Sequence, residues 1–290
     1  MKKLFVIIFC NLIYFSASGQ DLIELISNRI CNCIDTIENI GSLETKLDSC
    51  INESVTVFWN SDDDEQLEHF ASSDTIQNTI DSVMTGFVQR CPKVMAFLLA
   101  EKEEKFYKLS GSGVANQYYN DGNQSFTSSD FKTAEKQFLK AIKEDRKFVY
   151  AYDNLGLTYR HLKDYKNSVR YYAKSLEIFP EGRNALQNQA VVFLELKDNL
   201  NALKNYFILI SLYPDNPEGY FGSARVQYNN EDYENALEYA FYAYKLYLFQ
   251  QSDNVKDIEE LILLIRDKMK EQNKLDNFSK KAKEYGIPVD

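Results

Sequence analysis

Residues 149–182 read VYAYDNLGLTYRHLKDYKNSVRYYAKSLEIFPEG, one full unit of a period that runs through the second half of the chain. Asp164 inside it has counterparts at Asp130, Asp198 and Asp232, 34 residues apart each time, and the flanking residues recur in step. A fixed period of this length marks stacked, like units that bury a continuous core only together. Four windows follow: 115–148, 149–182, 183–216 and 217–250. Small residues recur at two sites, as Gly122, Gly156, Ala190 and Ala224 and again as Ala134, Ser168, Ala202 and Ala236.

These residue types have a physical reason. Two helices cross closely only where side chains are small, and an enlarged residue at the crossing overpacks the contact by about 1–3 kcal/mol. Phe138, Tyr172 and Tyr206 fall four residues after the second small site, one turn along the same helix face, where they fill the gap to a neighbouring pair. The recurring aspartate stands between two apolar-periodic segments. There its carboxylate accepts from the free N–H groups that open the second helix, so it is a cap and not a catalyst.

Within 149–182, Tyr152, Leu155, Gly156, Tyr159, Tyr172 and Pro180 stand at the spacings used by the tetratricopeptide repeat, and this half of the chain resembles that family. The resemblance implies an all-α protein: an α-solenoid of four helix hairpins with a C-terminal helical cap over 251–290. The capping segment keeps helical spacing at Val255, Ile258, Leu261, Ile262, Ile265 and Met269 while its outer face is dense in charge, as the end of a solenoid requires.

Residues 20–110 lack the period and read as a small helical bundle stapled by disulfides. Ahead of it, Lys2 and Lys3, an apolar run from Leu4 to Phe15 and the small residues Ala17, Ser18 and Gly19 read as a secretory signal peptide over 1–19. The run is too short to span a bilayer, so no membrane insertion is expected after cleavage, and the chain is read as exported to the periplasm or exterior. Cys31, Cys33, Cys50 and Cys91 remain in the processed chain. An even number in an exported protein reads as disulfides. Cys31 and Cys33 lie two apart on an amphipathic helix that carries Ile23, Ile26, Ile30, Ile34 and Ile37. They point about 200° from each other and cannot bond together. Each is expected to reach Cys50 or Cys91, and the sequence leaves the pairing open. Their spacings do not suit a zinc site. Gly111, Ser112 and Gly113 mark the boundary with the repeats. A helix ending at Tyr107–Leu109 is expected to pack on the first repeat as a rigid attachment.

Charge and motif content narrow the function. The formal charge of −10, which becomes −12 on loss of Lys2 and Lys3 because residues 1–19 hold no acid, disfavours nucleic acid as a partner. His69 and His161 lie in different regions, the run Asp62–Glu65 lacks the alternation of a calcium loop, and no phosphate-cradling or nucleophile motif is present. No cofactor, metal or catalysis is therefore expected. Function is expected in a surface that binds a protein or peptide.

In the resembled family the first helix of each unit lines the concave wall. Carried over by position, the candidate binding residues are Tyr119, Asn123 and Phe126, then Asp153, Arg160 and His161, then Gln187 and Glu195, and finally Phe221, Arg225 and Asn229. The Lys and Asn clamp with which some members hold a terminal carboxylate is not reproduced, since the matching positions include Asp153, Gln187 and Phe221. Two rival readings remain. In one, Cys31 and Cys33 form a redox centre recruited through the repeats. In the other, the 20 Tyr and 19 Phe supply platforms for carbohydrate.

Overall fold

The structure is a computed structural model that describes residues 28–34, 49–50 and 91–287. The expected signal peptide, most of the first two N-terminal helices, the acidic run and the helix expected from Asp74 lie outside the described residues. The chain divides into two compact units, 1–101 and 102–290. Among the described residues every regular element is helical and no strand occurs.

In the first unit residues 28–34 form helix and bury Ile30, Cys31 and Ile34. Two disulfides leave this helix in different directions, Cys31–Cys91 with Cα atoms 5.2 Å apart and Cys33–Cys50 with Cα atoms 5.5 Å apart. Helix α1, Pro92–Phe106, starts directly after Cys91, whose carbonyl accepts from the Met95 amide at 3.0 Å. Pro92 suits the first helical position because its missing N–H would have no partner there.

The second unit begins in the last turn of α1 and continues through four hairpins and a closing pair. The first hairpin is α2 (Gly113–Thr127) with α3 (Phe131–Glu144), the second α4 (Val149–His161) with α5 (Tyr165–Ile178). The third is α6 (Arg183–Glu195) with α7 (Asn199–Leu212), the fourth α8 (Pro217–Asn229) with α9 (Tyr233–Phe249). Helices α10 (Val255–Glu271) and α11 (Leu275–Glu284) end the described chain.

Each recurring aspartate does two jobs in the turn inside its hairpin. Its backbone N–H reaches back five residues, as Asp164 to the Tyr159 carbonyl at 2.9 Å and Asp198 to the Phe193 carbonyl at 2.8 Å, and closes the helix before it. Its side chain then opens the helix after it: Asp130, Asp164, Asp198 and Asp232 accept from the amides of Thr133, Asn167, Asn201 and Asn235 at 3.1–3.3 Å. In the last three turns the Asn side chain also returns a bond to the second carboxylate oxygen, at 2.7–2.8 Å. The residue before each aspartate, Ser129, Lys163, Lys197 and Glu231, holds φ near +60°, a left-handed conformation that residue type does not signal because none of the four is glycine.

The small sites pack as their chemistry requires. A Cβ on Gly122 would lie 2.6 Å from the Phe138 ring, and one on Gly156 would lie 2.9 Å from the Tyr172 ring. Tyr206 makes the analogous contact with the next hairpin, where a Cβ on Gly222 would sit 2.1 Å away. Phe138 and Tyr172 are fully enclosed and Tyr206 nearly so. A buried polar rung joins the second and third hairpins, with Asn205 donating to Gln189 at 2.8 Å and Gln189 donating to the Val169 carbonyl at 3.0 Å. The closing pair buries Ile258, Ile262, Ile265, Met269 and Phe278 against Leu237 and Phe241 of α9. Its outer face is less uniformly charged than its sequence suggested, because Leu263 and Leu264 are about half exposed beside Glu259 and Glu260.

Candidate functional site

The first helices α2, α4, α6 and α8 approach one another in succession, and among the four hairpins the second helices do not approach each other to the same extent. The first helices therefore form the inner layer, where a stack of hairpins places its concave wall. The candidate residues fall on this layer in two bands. One band lies near the helix starts and the other near the helix ends.

The first-turn row is Tyr119, Asp153, Gln187 and Phe221, one from each hairpin. Every member is engaged by the protein itself. The Tyr119 ring packs on Phe148 and Tyr150 at centroid distances of 4.9 and 6.1 Å, and its hydroxyl accepts from Asn154 at 3.3 Å. Asn154 also donates to Asn123 at 2.7 Å. Gln187 donates to Glu218 at 3.2 Å, and the other Glu218 oxygen accepts from the Tyr247 hydroxyl at 2.6 Å. Phe221 sits edge-on to Tyr247 at 6.2 Å.

Asp153 is only 6% exposed. What covers it is the chain just after α1: the Tyr107 hydroxyl donates to Asp153 Oδ2 at 3.1 Å. Burial pushes the Asp153 carboxyl up to about 7, an effect partly offset by the hydroxyls of Ser175 and Tyr107. Burial and the nearby Asp153 carboxylate also push the Tyr107 phenol up. The other Asp153 oxygen, Ser175 Oγ and the Tyr172 hydroxyl are enclosed without a well-formed hydrogen bond. The expected groove residue Asp153 is thus closed off from solvent, because a polar group deep in the wall is reached first by the adjoining segment of its own chain.

This segment, residues 102–110, meets the first repeat, as expected, but only through Ser110, and crosses from there to the joint between the second and third hairpins. Phe106 stacks on Phe179 at 5.0 Å, while Tyr107 meets Phe179 at 5.5 Å and Tyr150 at 5.2 Å. Lys102 pairs with Glu181, and Arg183 lies 3.5 Å from Glu103. Gly182 makes room for the strap, since a Cβ there would come within 3.2 Å of the Tyr107 hydroxyl. At the far end Asn116 clasps Ser110 twice, accepting from its amide at 2.9 Å and donating to its carbonyl at 2.7 Å. Sequence reasoning missed Tyr107 as a groove residue. The available sign was Gly182, which stands where the neighbouring windows hold Phe148 and Asn216.

The last-turn band is open. His161 is exposed and stacks on Phe131 at 4.7 Å, with Phe126 edge-on at 5.2 Å. Arg160 lies 3.9 Å from Glu195, and both remain partly accessible. Arg225 is exposed with its guanidinium 5.9 Å from the Phe221 ring centroid, and Asn229 is exposed one turn further on. Among the described residues no three His, Cys, Asp or Glu side chains converge as a metal site would require.

Comparison with known proteins agrees with this architecture. A tetratricopeptide repeat family profile matches residues 149–181, and a second profile of the same repeat matches 188–253. No curated protein matches the sequence. Among solved structures, MamA from Desulfovibrio magneticus RS-1 is 15% identical with a TM-score of 0.51, over 61% of this chain and 95% of that one. A tetratricopeptide repeat protein from Parabacteroides merdae ATCC 43184 is also 15% identical with a TM-score of 0.49, over 74% of this chain and 80% of that one. At such identity the likeness to MamA from Desulfovibrio magneticus RS-1 establishes the fold alone. The chain is a tetratricopeptide-repeat protein. Its first hairpin lies outside both profile matches, yet it repeats the Asp cap, the left-handed residue and the glycine–aromatic contact of the second. Repeats of this family generally bind protein partners, which makes an interaction scaffold the function class. The disulfides, and the absence among the described residues of any helix long and apolar enough to cross a membrane, are compatible with an exported protein.

Proposed function

We propose that this protein is an exported, non-catalytic scaffold that holds an extended peptide segment of a partner protein against the last-turn band of its inner wall. The observation that carries the reading is the contrast within that wall: Arg225, His161, Glu195 and Asn229 are exposed, whereas the first-turn row is engaged internally. Amide and guanidinium groups pair with a peptide backbone or side chain, and the Phe126, Phe131 and His161 cluster offers an apolar contact at its edge. The signal-like N-terminus and the disulfides support the exported setting.

The test is site-specific photo-crosslinking in cells that make the protein, with the crosslinker at Asn229 and, as a control, at Lys204 on α7. A discrete adduct is expected from position 229 and not from 204, and Arg225→Glu should reduce its yield about tenfold, the effect of losing roughly 1.4 kcal/mol of binding. Equal adducts from both positions, or a yield indifferent to Arg225→Glu, would remove the last-turn band as the binding surface. N-terminal sequencing of the secreted material, expected to begin at Gln20, tests the export.

A further inference from the structure

The strap made by the end of α1 and the residues that follow it behaves as a ligand does. Residues 102–110 present an aromatic pair, Phe106 and Tyr107, into a recess built by Tyr150, Asp153, Phe179 and Gly182. They flank that pair with charged groups that meet Glu181 and Arg183 at the rim. The buried centre with a polar rim is the anatomy of a recognition surface, in which an aromatic anchor carries the affinity and rim charges add little. The recess is also imperfectly filled. With Tyr107 seated, one Asp153 oxygen, Ser175 Oγ and the Tyr172 hydroxyl remain enclosed without a well-formed hydrogen bond, so the occupied state leaves bonding capacity that a different occupant or water could satisfy.

The strap has a natural pivot. Beyond Ser110, which Asn116 clasps on both backbone groups, come Gly111 and Gly113, and a Cβ on either would meet nothing within 4 Å. Release of Tyr107 would therefore leave the far end of the strap fixed to the first hairpin. We propose that residues 102–110 are a cis-acting plug: a releasable strap that occupies the recess over Asp153 in the first-turn row and competes there with a peptide of like chemistry, one carrying a Phe-Tyr or similar aromatic pair flanked by charged residues. The plug stands independently of the last-turn band, because its recess, its residues and its probe are all different.

The experiment uses the full chain and a fluorescent synthetic peptide with the sequence of residues 102–110, KEEKFYKLS. In wild type the strap outcompetes the peptide, so only weak anisotropy change is expected. Tyr107→Ala empties the recess and should bind the peptide at least about tenfold more tightly, since the fraction of competent molecules sets the apparent affinity. A second substitution, Gly182→Leu, should abolish that gain, as should a peptide with its tyrosine replaced by alanine. A folded Tyr107→Ala chain that does not bind the peptide, or binding that survives Gly182→Leu, overturns the proposal. If Tyr107→Ala does not fold, hydrogen exchange of wild type decides. Amides of Lys102–Leu109 exchanging about tenfold or more faster than those of α4 support release by local opening, and exchange only through global unfolding overturns it.

Discussion

The first-turn row and the last-turn band stand on the same four helices, about two turns or roughly 10 Å apart, and they have opposite fates. Tyr119, Asp153, Gln187 and Phe221 are drawn into contacts with neighbouring hairpins, their own hairpin or the strap. His161, Glu195, Arg225 and Asn229 face solvent. The repeat period fixes which wall a residue joins, because helical phase depends only on sequence spacing. Whether that stretch of wall is vacant depends on segments outside the repeats, which share no period with it. A concave position in such a solenoid is thus an address, and the non-repeat flanks decide whether it is free.

The largest expected effect comes from disturbing the wall under both bands at once. Gly222→Leu would force a side chain into the Tyr206 ring and is expected to lower stability by about 3 kcal/mol, read as a fall in Tm by circular dichroism. An unchanged Tm would mean that Tyr206 swings aside and that this contact does not set the spacing of the hairpins.

The two bands are next separated by pH. Asp153 keeps its proton up to about 7 in the folded chain, whereas an ordinary aspartate loses it near 3.8. Between those values the folded state holds a proton that the unfolded state has released, so this group's stabilising contribution is complete below about 4 and is lost as pH rises to about 7. The groups around it, Tyr107 from the strap, Tyr172 and Ser175 from α5 and Tyr119 from α2, carry no charge over that window. Asp153→Asn should therefore gain on the order of 2 kcal/mol over wild type at pH 8 and little at about pH 4. Parallel Tm–pH profiles for the two proteins would contradict the buried, proton-holding carboxyl. No counterpart is expected in the last-turn band.

Much of this fold is written in the sequence at the level of spacing. Glycine, alanine and the aromatic four residues later report helix crossings directly, because steric exclusion admits few residue types there, and Gly156 with Tyr172 shows the case. The aspartates were readable as caps because an N-cap needs a short acceptor at one position. The Asn three residues later, which returns a hydrogen bond in three of the four turns, is a variation on the same chemistry that only the geometry makes plain. Two features had no such signature. The left-handed residue is Ser, Lys, Lys and Glu in turn, so composition does not mark it. The seat of Tyr107 depends on a tertiary contact 46 residues away in sequence, and local pattern carries no information at that range.

Smaller effects sharpen the contrast at the turns that follow the last-turn band. Asp198→Ala removes an N-cap and is expected to cost about 1 kcal/mol, visible as a lower urea midpoint with an unchanged slope. A midpoint equal to wild type would show that Asn201 or water serves the amide as well. Lys197→Gly acts in the other direction. It relieves a side chain held at φ near +60° and should add about 0.5 kcal/mol, with destabilisation the contrary result.

The strap touches all three joints between successive hairpins. Ser110 bonds to Asp145 at the first, Phe106 and Tyr107 pack on Phe179 at the second, and Glu103 lies beside Tyr213 at the third. The turns within hairpins are locked by their double-ended aspartates, so any change in the pitch of the spiral must be absorbed at these joints. A single peptide that touches all of them works as a splint, tying successive hairpins to one another from outside their own repeats.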